Sequence, residues 1–119
     1  MAVLKMGIVE SRFADLVWEN APLTTRELVA LCAKELNWKR TTTYTVLKKL
    51  CDREIFVTQD SVVSALLTKD EYRALQGDKF VKEAYQGSLP AFIAAFAALN
   101  PPTTEELEEI KKLIDSLGE

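Results

Sequence analysis

Residues 38–55 read WKRTTTYTVLKKLCDREI, and the way this stretch divides around a helix decides the fold. At about 100° per residue, Thr43, Val46, Leu47 and Leu50 fall on one side of a helix over 41–53, a face suited to a core. Thr41, Thr42, Thr45, Lys48, Lys49 and Asp52 fall on the opposite side. Short hydroxyls near the start and lysines further along suit a helix lying in a DNA groove. Threonine bonds base edges or phosphates and offers a methyl to thymine, while lysine neutralises phosphate or reaches guanine. Over 39–53, Lys39, Arg40, Lys48, Lys49 and Arg53 are set against one acid, Asp52, in a chain whose net charge is -3. The sign is locally reversed. Taken alone, a basic amphipathic helix also fits a solvated surface helix, so the flanking segments have to decide.

Upstream, the pattern predicts a helix over 9–19, with Phe13, Leu16 and Val17 toward a core and Trp18 at its edge. Asn20-Ala21-Pro22 ends it, because proline restricts its predecessor and donates no backbone hydrogen bond. Thr24 with Glu27 forms a capping box for a second helix reaching about Leu36, apolar along Leu28, Val29, Leu31 and Cys32. Asn37 and Trp38 then turn the chain into the basic helix. Two helices joined so tightly, after a first, have the spacing of a helix-turn-helix.

Downstream the period changes. IFVTQ (55–59) and VVSALLT (62–68) are β-rich runs around Asp60-Ser61, and they predict a hairpin. Three helices and a hairpin make a winged helix. Thr68 with Glu71 caps a further helix to about Tyr85, carrying Tyr72, Leu75, Phe80, Val81 and Ala84 and weakened midway by Gly77. After Gly87-Ser88, SLPAFIAAFAALN (88–100) places Leu89, Phe92, Ile93 and Phe96 at helical spacing, until Asn100-Pro101-Pro102 stops it. Thr103 with Glu106 caps the last helix, whose narrow stripe of Leu107, Ile110, Ile114 and Leu117 suits packing on a partner.

The expected architecture is therefore mainly α with a small β-hairpin, a winged helix-turn-helix over residues 1–68 and a helical dimerisation region over 69–119. Three helices of roughly fifty residues bury little as a separate monomeric unit. Dimerisation through Phe80, Leu89, Phe92, Ile93, Phe96, Leu107, Ile110, Ile114 and Leu117 is the expected remedy. The alternative is that these helices fold back on the winged helix as one monomeric core.

Composition narrows the function. With 119 residues, 48% apolar, the chain can bury one modest core and a second, smaller one. No apolar run approaches the ~18 residues needed to span a bilayer, and MAVLKMGIVES lacks the pattern of a secretory signal. A cytoplasmic location without membrane insertion is expected. Cys32 and Cys51 match no metal or redox spacing and are read as core thiols. Histidine is absent, which removes the usual general base and the commonest metal ligand. The acids Glu105, Glu106, Glu108 and Glu109 sit at a helix start, where they meet the dipole, so neither enzyme nor cofactor nor metal site is expected. Residues 1–59 hold nine basic and seven acidic side chains, against six and eleven in 60–119. The basic half is the one to meet nucleic acid. A pI near 5.1 also admits a second reading, a winged-helix module that docks an acidic protein and no DNA.

The pattern W-x3-T-x2-T-x-L-x2-L, carried by Trp38, Thr42, Thr45, Leu47 and Leu50, resembles the recognition helix of the penicillinase-repressor family (BlaI/MecI/CopY type). The likeness runs over nearly the whole chain and includes FVKEAYQGS (80–88) and TTEELEEIKKLI (103–114). It implies a homodimeric winged-helix repressor that binds a palindromic operator of double-stranded DNA through its third helix. By position, Thr41, Thr42 and Thr45 would meet bases or nearby phosphates, with Lys39, Arg40, Lys48 and Lys49 mostly on phosphates. Tyr44 would reach the backbone from a flank, and Thr25 would bond a phosphate through its hydroxyl or its backbone N–H.

Such a likeness also suggests a membrane sensor-protease or another signalling protein as the partner that ends repression. Three departures stand out. Lys49 occupies a position often held by arginine, the wing turn Gln59-Asp60-Ser61 is acidic, and Ala95-Phe96 replaces the Asn-Phe pair cleaved in β-lactam-responsive members. The cysteine-rich tail of the copper-responsive branch is missing as well.

Overall fold

In the computed structural model, which describes residues 6–118, helix α1 (Ile8–Asn20) leads into a short strand, β1 (Leu23–Thr24). Helix α2 (Thr25–Leu36) follows, capped as expected: the Thr24 hydroxyl accepts from the Glu27 N–H at 3.0 Å, and the Glu27 carboxylate accepts from the Thr24 N–H at 2.8 Å. Asn37 then takes a left-handed conformation, φ 55°, which lets α2 end and the chain turn sharply. Helix α3 (Arg40–Asp52) starts one residue earlier than the sequence suggests, with Lys39 at its N-cap.

The hairpin consists of β2 (Phe56–Gln59) and β3 (Val62–Ala65). Its turn residues Asp60 and Ser61 both have positive φ, 53° and 62°, the conformation a two-residue hairpin turn requires. One element was not anticipated. Strand β1 pairs antiparallel with β3, Leu23 opposite Val63 and Thr24 opposite Val62, so the wing is a three-stranded sheet in the order β1-β3-β2. Two residues carry no alternation of their own, and β1 exists only because β3 offers it a ladder.

The C-terminal helices are α4 (Lys69–Ala84), α5 (Leu89–Leu99) and α6 (Thr104–Leu117). Reciprocal capping boxes start α4 through Thr68 and Glu71 and α6 through Thr103 and Glu106. Helix α4 continues unbroken through Gly77.

Two compact units divide the chain, residues 1–78 and 79–119. In the first, Phe13, Val17, Leu28, Cys32, Leu50, Ile55, Phe56 and Val63 are fully buried. Burying large apolar side chains such as these contributes roughly 1.5–3 kcal/mol apiece, and this cluster is what holds α3 in place. Thr43, Leu47 and Leu50 form the buried face of α3, with Val46 half-buried beside them. Trp18 is half-buried and its indole Nε1–H donates to the Leu67 carbonyl at 2.9 Å. Cys32 lies in this core, and burial raises its thiol pKa, with the Thr43 side chain opposing the shift. The expectation for Cys51 needs correcting. It is only half-buried, packed against the edge of the core with Sγ 3.6 Å from the Thr58 hydroxyl, because its place on α3 is turned toward β2.

In the second unit no described residue is buried. Phe80, Tyr85, Phe92 and Phe96 form a chain of ring contacts with centroids 5.5–6.0 Å apart. Phe80, Leu89, Ile93, Phe96, Leu107, Ile110, Ile114 and Leu117 are nonetheless all exposed, between 43% and 77%, while Phe92 is half-buried.

Candidate nucleic-acid interface

Helix α3 presents a ridge and two flanks. Thr41, Thr45, Lys48 and Asp52 recur along the side opposite its buried face and are all exposed. Thr42 and Lys49, also exposed, lie on the flank that borders α1, and Tyr44 and Cys51 lie on the flank toward the wing. The inner face fixes this orientation, because turning the helix would expose Leu47 and Leu50.

The hydroxyls of the ridge are not equivalent. Thr45 donates its Oγ1–H to the Thr41 carbonyl one turn back, at 2.9 Å. Its donor is therefore engaged inside the helix, leaving its methyl and its oxygen lone pairs for anything that approaches. Lys48 reaches Asp52 at 3.1 Å. Both ends of that pair are largely in solvent, and an exposed i,i+4 pair contributes only ~0.3–0.5 kcal/mol, so phosphate can displace it.

At the start of α3, the Arg40 guanidinium lies over the Tyr44 ring, 5.6 Å from its centroid. The Thr25 side chain, helped by Arg40, lowers the pKa of the Tyr44 phenol. Thr24, Thr25, Arg26, Val29, Arg40, Tyr44 and Ser61 line an open cleft of about 560 Å³ between α2, α3 and the wing turn. Thr25 needs a correction here. Its backbone N–H donates to the Ser61 carbonyl at 2.9 Å and is not available to a phosphate, which leaves the hydroxyl. Arg26, on the first turn of α2, adds a second guanidinium to this cleft and was missed in the sequence. An exposed arginine just inside a capped N-terminus was the available signal.

On the other flank, Lys49 lies 3.3 Å from the Glu10 carboxylate of α1, and Arg53 reaches the same carboxylate at 3.4 Å. Glu10 also accepts from the Gly7 N–H at 3.1 Å. That backbone bond, reinforced by Lys49 and Arg53 and opposed by partial burial, lowers the carboxyl pKa.

The family model for the penicillinase repressor matches residues 6–116 of the chain. The chain belongs to the penicillinase-repressor family. As a member of that family it is a regulator of transcription, a repressor that acts by binding DNA. The match spans both units, so the winged helix and the C-terminal helices are parts of one family architecture. A comparison with curated proteins gives no match. Among the described residues no helix is long and apolar enough to cross a membrane.

Proposed function

We propose that a homodimer of this chain occupies a two-fold symmetric operator and denies polymerase the promoter, with α3 of each protomer in successive major grooves about 34–36 Å apart. The observation that carries the reading is the outer side of α3: exposed Thr41, Thr45 and Lys48 along the ridge with exposed Thr42 on its flank, backed by the buried face of Thr43, Leu47 and Leu50. Thr41, Thr42 and Thr45 meet base edges or nearby phosphates. Lys39, Arg40 and Lys48 neutralise phosphates, while Lys49 lies on the α1 flank against the Glu10 carboxylate. Tyr44 and the Thr25 hydroxyl contact the backbone from the side of the wing.

Dimerisation is assigned to residues 69–119 and DNA binding to 1–68. Support for the dimer comes from the second unit, where Leu89, Ile93 and Phe96 of α5 and Leu107, Ile110 and Ile114 of α6 are exposed. Repression ends, in this reading, when a membrane sensor-protease or another signalling protein acts on the cytoplasmic dimer. Ala95-Phe96 on α5 is the position at which cleavage would be sought.

The test is a gel shift of DNA upstream of the gene by the purified chain, with excess nonspecific competitor, alongside sedimentation of the protein alone. A shift that survives competitor and a sedimenting mass near twice 13.4 kDa are expected. Monomers, or complexes that competitor abolishes, would contradict the proposal.

A further inference from the structure

Glu10 occupies an unusual position for an acid in a protein that binds a polyanion. It projects from the first turn of α1 toward the last turn of α3, and its side chain is 17% exposed. One carboxylate oxygen accepts from the Gly7 N–H and lies 3.4 Å from Arg53, while the other lies 3.3 Å from Lys49. Three donors thus fix a single carboxylate. Lys49 differs from its neighbour Lys48 in this respect. The Lys48–Asp52 pair has 77% and 66% of its side chains exposed, against 53% for Lys49 and 17% for Glu10, so both of its ends have to be ordered from solvent. Glu10, by contrast, is already held by Gly7 and Arg53, so pairing with Lys49 demands ordering of the lysine only.

Resting on the reading of α3 as the DNA-contacting helix, we propose that Glu10 is a specificity-determining residue. It holds Lys49 on the α1 flank and so keeps that cation from pairing indiscriminately with phosphates. Affinity for DNA of any sequence grows with the number of phosphates neutralised, and each such contact steepens the dependence of log K on log salt by about 0.9. A mobile Lys49 would add one contact on random DNA, where no register constrains it. On the operator, Thr42 and Thr45 fix the register of α3, and the same lysine gains less. Withholding it lowers nonspecific binding more than specific binding.

The experiment measures the binding of full-length wild type and Glu10→Gln to an operator duplex and to a random duplex between about 0.05 and 0.2 M salt. Glutamine keeps an oxygen for the Gly7 N–H but loses the charge. For Glu10→Gln, random-duplex affinity should rise roughly five- to tenfold at 0.1 M salt, with a salt slope steeper by about 0.9. Operator affinity should rise less, so that the specificity ratio falls. Unchanged random-duplex binding overturns the inference, as does an equal rise on both duplexes, which would be a general field effect.

Lys49→Gln supplies a second reading that does not depend on the stability of the Glu10 variant. In the wild-type background it should leave the random-duplex slope unchanged. A slope shallower by about 0.9 would mean that Lys49 already sits on a phosphate, and the inference would be wrong. Failure of wild type to bind either duplex would instead overturn the assignment of α3, which separates the two claims.

Discussion

The indole of Trp38 stacks on the ring of Phe13, with centroids 5.6 Å apart and planes inclined by 17°. Trp38 lies in the turn between α2 and α3, and Phe13 lies at the centre of α1, so this one contact presses the helix-turn-helix onto its supporting helix. Trp38 N–H also donates to the Cys32 carbonyl at 3.2 Å, closing the end of α2.

Removing either ring should loosen α3 as well as lower stability. Phe13 is fully buried, and Phe13→Ala is expected to cost ~3–5 kcal/mol. Trp38→Leu keeps much of the volume and should cost ~1–2 kcal/mol, mostly through lost stacking and packing. Urea denaturation at fixed protein concentration, followed by far-UV circular dichroism, measures both.

The ridge threonines should separate by chemistry. Because the Thr45 donor is engaged by the Thr41 carbonyl, its oxygen can only accept, and its methyl is the group expected to meet a base. Thr45→Val should therefore bind operator within about threefold of wild type, whereas Thr45→Ser should lose ~1 kcal/mol, the low end of a base contact. Competition binding with fluorescent duplexes decides. Equal losses for Val and Ser would mean that the hydroxyl reads the base.

Thr42 and Lys48 should fail in different ways. Thr42→Ala should relax sequence preference. Lys48→Ala should weaken binding to all sequences and make the salt slope shallower by about 0.9. A Lys48→Ala protein with the wild-type slope would show that this lysine does not meet phosphate.

The apolar stripe of α6 offers a test of assembly. Ile114 is 58% exposed in the single chain, so Ile114→Asp is harmless to a monomer and severe for an interface. Sedimentation should show monomers, and operator binding should fall by at least tenfold through lost effective concentration. Both tryptophans, Trp18 and Trp38, lie in the first unit, and their unchanged emission would show that the winged helix remains folded.

Acid should expose the carboxylates that hold the helices. Glu10 and Glu27 both have pKa values lowered from 4.5, Glu10 chiefly by the Gly7 N–H and Glu27 chiefly by the Thr24 N–H. A carboxyl lowered on folding contributes stability above its unfolded pKa and loses it as pH falls through the folded value. Urea midpoints should therefore drop as pH is lowered below about 4.5, and Glu10→Gln should reduce that drop. A variant that falls as steeply as wild type would show that the Glu10 contacts add nothing to stability.

Much of this arrangement is legible in the sequence because it is local. The three Thr-x-x-Glu capping boxes form at Thr24, Thr68 and Thr103, and the inner and outer faces of α3 follow from the spacing of Thr43, Leu47 and Leu50. Asp60-Ser61 marks the hairpin for the same reason. The details that were not legible join residues far apart in the chain. Strand β1 depends on β3, the Thr25 N–H is captured by Ser61, and Glu10 meets Lys49 and Arg53. Periodicity reports which face a side chain occupies, but not which partner waits there. Cys51 illustrates the limit, since its angular position lies at the boundary between the core and the flank near β2.

The most direct test of the central claim is a hydroxyl-radical footprint of the purified chain on the DNA upstream of its gene, with excess nonspecific competitor. Two protected half-sites related by two-fold symmetry, one helical turn or a whole number of turns apart, are predicted, and Thr42→Ala should blur their boundaries. A single unpaired protected site, or none at low salt, would contradict an operator-binding dimer that reads DNA through α3.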